Sequence, residues 1–220
     1  MPILGISSAT KVVSIGLIDD GRILLETTVA GVQSERIMFY VKEAGIEPEQ
    51  LEGVAVAVGP GSYSGLRGSV TAAKTLAQAL KIPLTSVNTL EAIAYNLSEI
   101  TGTMAVVLDA RADEYNFALF SAKGGELQRL TEDLAMKRDQ IVAKLKEVTG
   151  TIHLVGNSRG FREQGLVGNN ILYADEIHSI PYGINVARLG LKQIKAGRLE
   201  DPLKLAPHYS HRPNIREYPH

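Results

Sequence analysis

The chain writes its opening pattern twice. Ile3 to Ser7 is a short apolar run, a small-residue turn follows, and Val12-Val13-Ser14-Ile15-Gly16-Leu17-Ile18 leads to Asp20-Gly21 and then Arg22-Ile23-Leu24-Leu25-Glu26. Asp-Gly between apolar runs is a strong hairpin signal, because both residues tolerate the positive φ that a two-residue turn demands. The order returns after residue 103. Met104 to Leu108 is apolar, Asp109-Ala110-Arg111 turns, Tyr115 to Ser121 alternates, Gly124-Gly125 turns again, and Glu126 to Leu130 reads as a third strand. A meander written twice predicts two α/β halves of one architecture, each a mixed sheet with helices, the second shorter than the first.

Between the meanders the periodicity changes. Ser34 is placed to cap a helix with Ile37, Val41 and Ala44 at helical spacing and Gly45 as its stop. Val54 to Val58 is the next strand, and a helix with Leu66, Val70, Ala73, Ala77 and Leu80 on one side follows a glycine-rich turn. Pro83 ends it; a strand spans Leu84 to Val87, and Asn88 with Glu91 opens a third helix in the manner of a capping box. Thr101-Gly102-Thr103 interrupts the pattern, which divides the chain into 1–101 and 102–220. The second part continues with a helix near Gln140 to Val148, a strand at Ile152 to Val155 and a helix at Ile184 to Ala196. Its tail from Pro202 holds four of the nine prolines and is expected to lie as an extended strap.

Composition excludes several classes. With 23 Lys+Arg against 24 Asp+Glu the net charge is -1, so contact with nucleic acid needs a local patch or a partner that brings the positive charge. The absence of cysteine removes disulfides, thiolate metal sites and a cysteine nucleophile. The longest uncharged interior stretch, Gly53 to Leu66, falls short of the ~20 residues that cross a bilayer. With no signal-peptide pattern at the start, these features predict a cytoplasmic protein with no membrane partner.

The glycine turn Gly59-Pro60-Gly61-Ser62-Tyr63-Ser64-Gly65-Leu66-Arg67 is the candidate site. A turn entering a helix presents free N–H groups to an anion. Yet the P-loop lysine is missing after Gly65, and the spacing of glycines 59, 61 and 65 does not fit a dinucleotide fingerprint. The residues alone leave two readings: a corner in which Gly59 and Gly61 supply backbone angles and Ser62 or Ser64 caps the helix, or a loop that touches a ligand or partner.

That run resembles the Gly-Pro-Gly-Ser-Phe-Thr-Gly-x-Arg signature of the TsaB family, the dimerisation subunits of the bacterial machinery for threonylcarbamoyladenosine in tRNA. Val87-Asn88-Thr89-Leu90 is similar to the family's Val-Ser-Thr-Leu, and Asp109-Ala110-Arg111 opens the second half in the same way. The resemblance implies duplicated actin-like, Hsp70-like halves of the ribonuclease H-like class. It implies a non-catalytic subunit that forms homodimers, pairs with a TsaD-like transferase subunit, is joined by a TsaE-like ATPase, and meets tRNA only through the complex. Gly59, Pro60, Gly61, Ser62, Gly65 and Arg67 then stand at an inherited nucleotide or partner interface. No bound cofactor is expected, ATP or ADP entering only in the complex. Ile37 and Val41 are the candidate interface positions.

Ser7-Ser8 stands where the family commonly has Asp-Thr, while Asp109 keeps a vestigial acidic position in the second half. The paired histidines that bind metal in TsaD have no counterpart here, since the first histidine is His153; a zinc site at His208, His211 and His220 is disfavoured, and no metal site is assigned. The rival reading from the glycine loop, Asp109 and the duplication is an active small ATPase or kinase of the same fold.

Overall fold

A computed structural model of the chain describes residues 1–31, 36–43, 45–110, 113–163 and 170–210, with the side chains of all of these except residues 37 and 40. The repeated meander forms twice. β1 (Pro2–Ser7), β2 (Val12–Asp19) and β3 (Arg22–Ala30) are antiparallel neighbours, and β4 (Gly53–Gly59) and β5 (Leu84–Asn88) extend the sheet in parallel, giving the order β3-β2-β1-β4-β5. β6 (Gly102–Asp109), β7 (Glu114–Lys123), β8 (Glu126–Arg129), β9 (Leu134–Lys137), β10 (Ile152–Gly156) and β11 (Ile171–Tyr173) build the second sheet in the order β8-β7-β6-β10-β11. The duplicated α/β class expected from the sequence is the observed one. One difference lies in the second meander, where the third strand is split: β8 pairs with the end of β7 and β9 with its beginning.

Among the described residues six helices cover these sheets: α1 (Ile37–Glu43), α2 (Tyr63–Leu80), α3 (Thr89–Ala94), α4 (Arg138–Lys146), α5 (Arg159–Glu163) and α6 (Gly183–Lys195). Alternation along the strands decides which face each one meets. Leu4, Ile6, Val13, Val54 and Val56 lie under Val70, Ala73 and Leu76 of α2 and Val41 of α1. Ile3, Ile18, Ala55 and Ala57 point the other way, under Val186 and Ala187 of α6. In the second half Met104, Val106 and Phe120 pack with Leu90, Ile93 and Leu97, while Val107, Phe117 and Leu154 pack with Ile141 and Leu145 of α4 and Phe161 of α5.

The last helices are exchanged. α3 follows the strands of the first sheet yet packs on the second, and α6 follows the second sheet yet packs on the first. The strands up to β5 thus lie in one sheet and those from β6 in the other, while α3 and α6 cross between them. The physical reason is a helix face of small residues. A side chain at Gly183 would collide with the backbone of Ile15 and Gly16, and one at Gly16 with Ile184, so backbone meets backbone there. Two asparagines tie the crossing: Asn185 Nδ2 donates to Ala92 O (3.2 Å) and Asn96 Oδ1 (2.5 Å), and Asn96 Nδ2 donates to the carbonyls of His178 (2.6 Å) and Ile180 (2.8 Å).

The N-terminus of α6 is closed by the first sheet, by residues distant in sequence. Ile184 N donates to Glu26 Oε2 (2.8 Å), Gly183 N donates to Ser14 Oγ (2.8 Å), and Ser14 Oγ donates to Glu26. A carboxylate at a helix N-terminus satisfies orphan donors and complements the helix dipole. Burial pushes the Glu26 carboxyl above the ordinary glutamate range, against the opposing hydrogen bonds from Ser14, Ile184 and Thr28.

Candidate functional site

The glycine loop is packed against its own chain. Gly59 ends β4 with φ 126°, and a side chain there would run into the carbonyl of His208. One at Gly61 would meet the carbonyl of Ala9, and one at Gly65 the carbonyl of Ser8. Ser62 N donates to Ala9 O (2.7 Å), and Ser62 Oγ accepts from Gly65 N (3.4 Å) as the N-cap of α2. The glycines allow a close approach of three backbone segments: the loop, the β1–β2 turn and the tail. Pro60 is buried between them.

The tail holds this arrangement from outside. Glu200 N donates to Leu84 O (2.8 Å), Ser86 Oγ donates to Glu200 (2.6 Å), and Leu205 is buried against the first core. Lys74 of α2 donates to Leu205 O (2.9 Å), and His208 N donates to Val58 O (2.7 Å). Lys74 is thus a clasp on the strap. Tyr209 then stacks on Tyr63, with ring centroids 4.9 Å apart, and Arg67 Nη1 donates to Tyr63 Oη at 3.0 Å. Burial, then the neighbouring phenol of Tyr63, pushes the Tyr209 phenol up, against the Arg67 guanidinium. Sequence reasoning singles out Pro207-His208-Tyr209 by its likeness to a Pro-x-Tyr-x-Arg ending, with Arg212 one residue late, but does not foresee the contact of Tyr209 with Tyr63.

Of the remaining candidate residues, Asp109 sits at the end of β6. Its backbone N–H donates to Asn157 Oδ1 (2.9 Å), and burial raises its carboxyl while Lys11 of the β1–β2 turn works the other way. Arg111 lies outside the described residues. Ser7 and Ser8 are fully buried, and neither hydroxyl has a hydrogen-bond partner among the described residues. A carboxylate in their place would be a desolvated charge.

The interface expectation needs correction at Val41. It is 1% exposed and belongs to the first core, so helical spacing marked the face turned to the sheet. The side chain of Ile37, and Ser34 and Ala44 altogether, lie outside the described residues. The outward face of α1 carries Met38 and Phe39, 40% and 44% exposed, with the Arg36 guanidinium 4.5 Å from the Phe39 ring centre. His211 and His220 are also outside the description. Among the described residues no group of three His, Asp or Glu side chains could hold a metal ion.

Comparisons with known proteins fit this architecture. A family model described as TsaD, tRNA N6-adenosine threonylcarbamoyltransferase, matches residues 34–175. The tRNA threonylcarbamoyladenosine biosynthesis protein TsaB of Bacillus subtilis (strain 168) is 29% identical over 218 residues, covering 94% of this chain and 95% of that protein. Among solved structures, YeaZ from Pseudomonas aeruginosa superposes with a TM-score of 0.78 at 19% identity, over 94% of this chain and 99% of that one. An inorganic polyphosphate/ATP-glucomannokinase from an Arthrobacter species (strain KM) shares the fold at a TM-score of 0.52 and 16% identity, over 87% of this chain and 99% of that one. The chain belongs to the family whose model is described as TsaD, tRNA N6-adenosine threonylcarbamoyltransferase.

Proposed function

We propose that this chain is a non-catalytic assembly subunit in the biosynthesis of threonylcarbamoyladenosine in tRNA, forming a homodimer and pairing with a TsaD-type transferase subunit. The whole-length likeness to a TsaB protein supports the pathway. The observation that carries the non-catalytic reading is the filled glycine loop: its three glycines are spent on contact with Ser8, Ala9 and His208, and the end of β1 offers two buried hydroxyls rather than an acid. A TsaE-type ATPase joins the assembly in this reading, and ATP or ADP is bound by the complex rather than by this chain. The exposed face of α1 at Met38 and Phe39 serves association, in a cytoplasmic setting; no helix among the described residues is long and apolar enough to cross a membrane.

Size-exclusion chromatography with light scattering, on the chain alone and mixed with its TsaD-type subunit, tests this. A dimer that converts to a larger mixed complex supports it; a monomer indifferent to that subunit overturns it. The rival, a small ATPase or kinase, draws on the glucomannokinase-like fold, the glycine loop and Asp109 at the end of β6. It requires magnesium-dependent ATP turnover by the isolated chain, lost in Asp109→Ala, and a flat calorimetric titration with ATP removes it.

A further inference from the structure

Tyr63, Arg67 and Tyr209 stand together at the mouth of the glycine loop. The two rings are stacked with a 32° tilt, the guanidinium lies 5.2 Å from the centre of the Tyr63 ring, and Tyr63 remains 40% exposed. Basic side chains lie on the neighbouring elements. α2 presents Arg67 and Lys74 two turns apart, Lys81 caps its C-terminal end, and no acidic residue occurs between Glu52 and Glu91. Lys11 belongs to the turn that the loop packs against, and Lys204 extends from the strap with its side chain 86% exposed. The nearby acids are engaged: Glu200 accepts from Ser86, and Asp201 sits 3.7 Å from Lys204. On a chain of net charge -1 this is a local basic face centred on an aromatic platform.

An aromatic pair beside a guanidinium is the chemistry that receives an unpaired base and its phosphate. Every base has a π-face that stacks on tyrosine, and cations along the same surface track the backbone. We propose that Tyr63, Arg67 and Tyr209 form a stacking site for an unpaired nucleotide of RNA, with Lys11 and Lys204 attracting the flanking phosphates. The site rests on the reading of this chain as part of a tRNA-modifying assembly. It goes beyond that reading by giving this subunit a direct contact with RNA. Because Tyr209 comes from the strap, the site exists only while the strap is seated, which joins the closure of the glycine loop to RNA binding.

The test is fluorescence anisotropy of the full chain with a labelled single-stranded oligoribonucleotide and with a tRNA transcript, in a salt series, followed by photo-crosslinking to 5-iodouridine. The expected result is binding that weakens as salt rises, reduced about tenfold by Tyr209→Ala and by Tyr63→Ala, and kept by Tyr209→Phe. Crosslinks should fall on Tyr63 or Tyr209. Matching thermal melts for Tyr209→Phe and wild type separate loss of the platform from loss of the fold. Absence of binding at low salt, alanine variants that bind as wild type, or crosslinks elsewhere would overturn the site. So would a Tyr209→Ala variant that loses association with the TsaD-type subunit while binding RNA normally, which makes the platform a protein contact. Chromatographic pairing scores the assembly reading separately, so either idea can fail alone.

Discussion

The two halves share a strand order and diverge past the strand that each sheet lays parallel to the start of its meander. β4 and β10 both run parallel to a central strand and both end on a glycine with positive φ, 126° at Gly59 and 103° at Gly156. After β4 comes α2, 18 residues long, clasped by the strap; after β10 comes α5, five residues long. Gly59 leaves room for the carbonyl of His208, a late segment laid over the surface, whereas Gly156 leaves room for the carbonyl of Val107 inside β6. Strand pairing is backbone chemistry and survives repetition, while the elements at the strand ends are free to change. The half that kept the long helix also acquired the cover over its loop.

The largest expected effect probes the first core. Val41→Asp should cost about 4 kcal/mol and leave little folded protein, since it buries an unpaired charge. Met38→Asp, on the outward face of the same helix, should keep the melting temperature and weaken association. Circular dichroism with light scattering reads both, and equal melting temperatures would return Val41 to the surface.

The comparison of loop glycines is sharper. Gly156→Ala should cost about 3 kcal/mol in a denaturant titration, because the methyl meets a central strand that has nowhere to go. Gly59→Ala should cost only about 1–2 kcal/mol, because the strap can lift from the new methyl. Equal losses would mean that the strap is as fixed as a central strand.

A smaller effect separates the helix caps. Unfolded, Glu26 ionises in the ordinary range; folded, it ionises above it because of burial. Between those two points the native state holds more protons than the unfolded one, so stability falls as pH rises through that window. Glu26→Gln should flatten that slope, leaving the parts due to Glu91 and Asp109, whose carboxyls burial also raises. An unchanged slope removes Glu26 from this role. At the bottom of the scale, Arg159→Ala should move stability by less than about 0.5 kcal/mol, since its bond to Glu163 joins side chains that are 81% and 61% exposed. A larger loss would show α5 to matter more to the second half than its length suggests.

These contrasts also show what a sequence displays. The sheets are legible because meanders, glycine turns and apolar alternation are local, and the cap of α3 is legible because Asn88 lies two and three residues from the N–H groups of Leu90 and Glu91 that it accepts from. The cap of α6 is not, since Glu26 and Ile184 are 158 positions apart. Val41 reads as a partner contact because periodicity finds an apolar face without saying what covers it. β9, β11 and α5 are too short for a period to register. At the glycine loop the glycines are conspicuous, but the groups that fill the space beside them, Ser8, Ala9 and His208, come from opposite ends of the chain.

The exchange of last helices sets an order of events during synthesis. Ile3, Ala55, Ala57 and Val87 emerge from the ribosome early, yet the helix that covers them begins at Gly183. The first half cannot close while it is being made. Its inner face stays open until the segment that carries α6 has been translated, so the first-made half is completed only after the strands of the second.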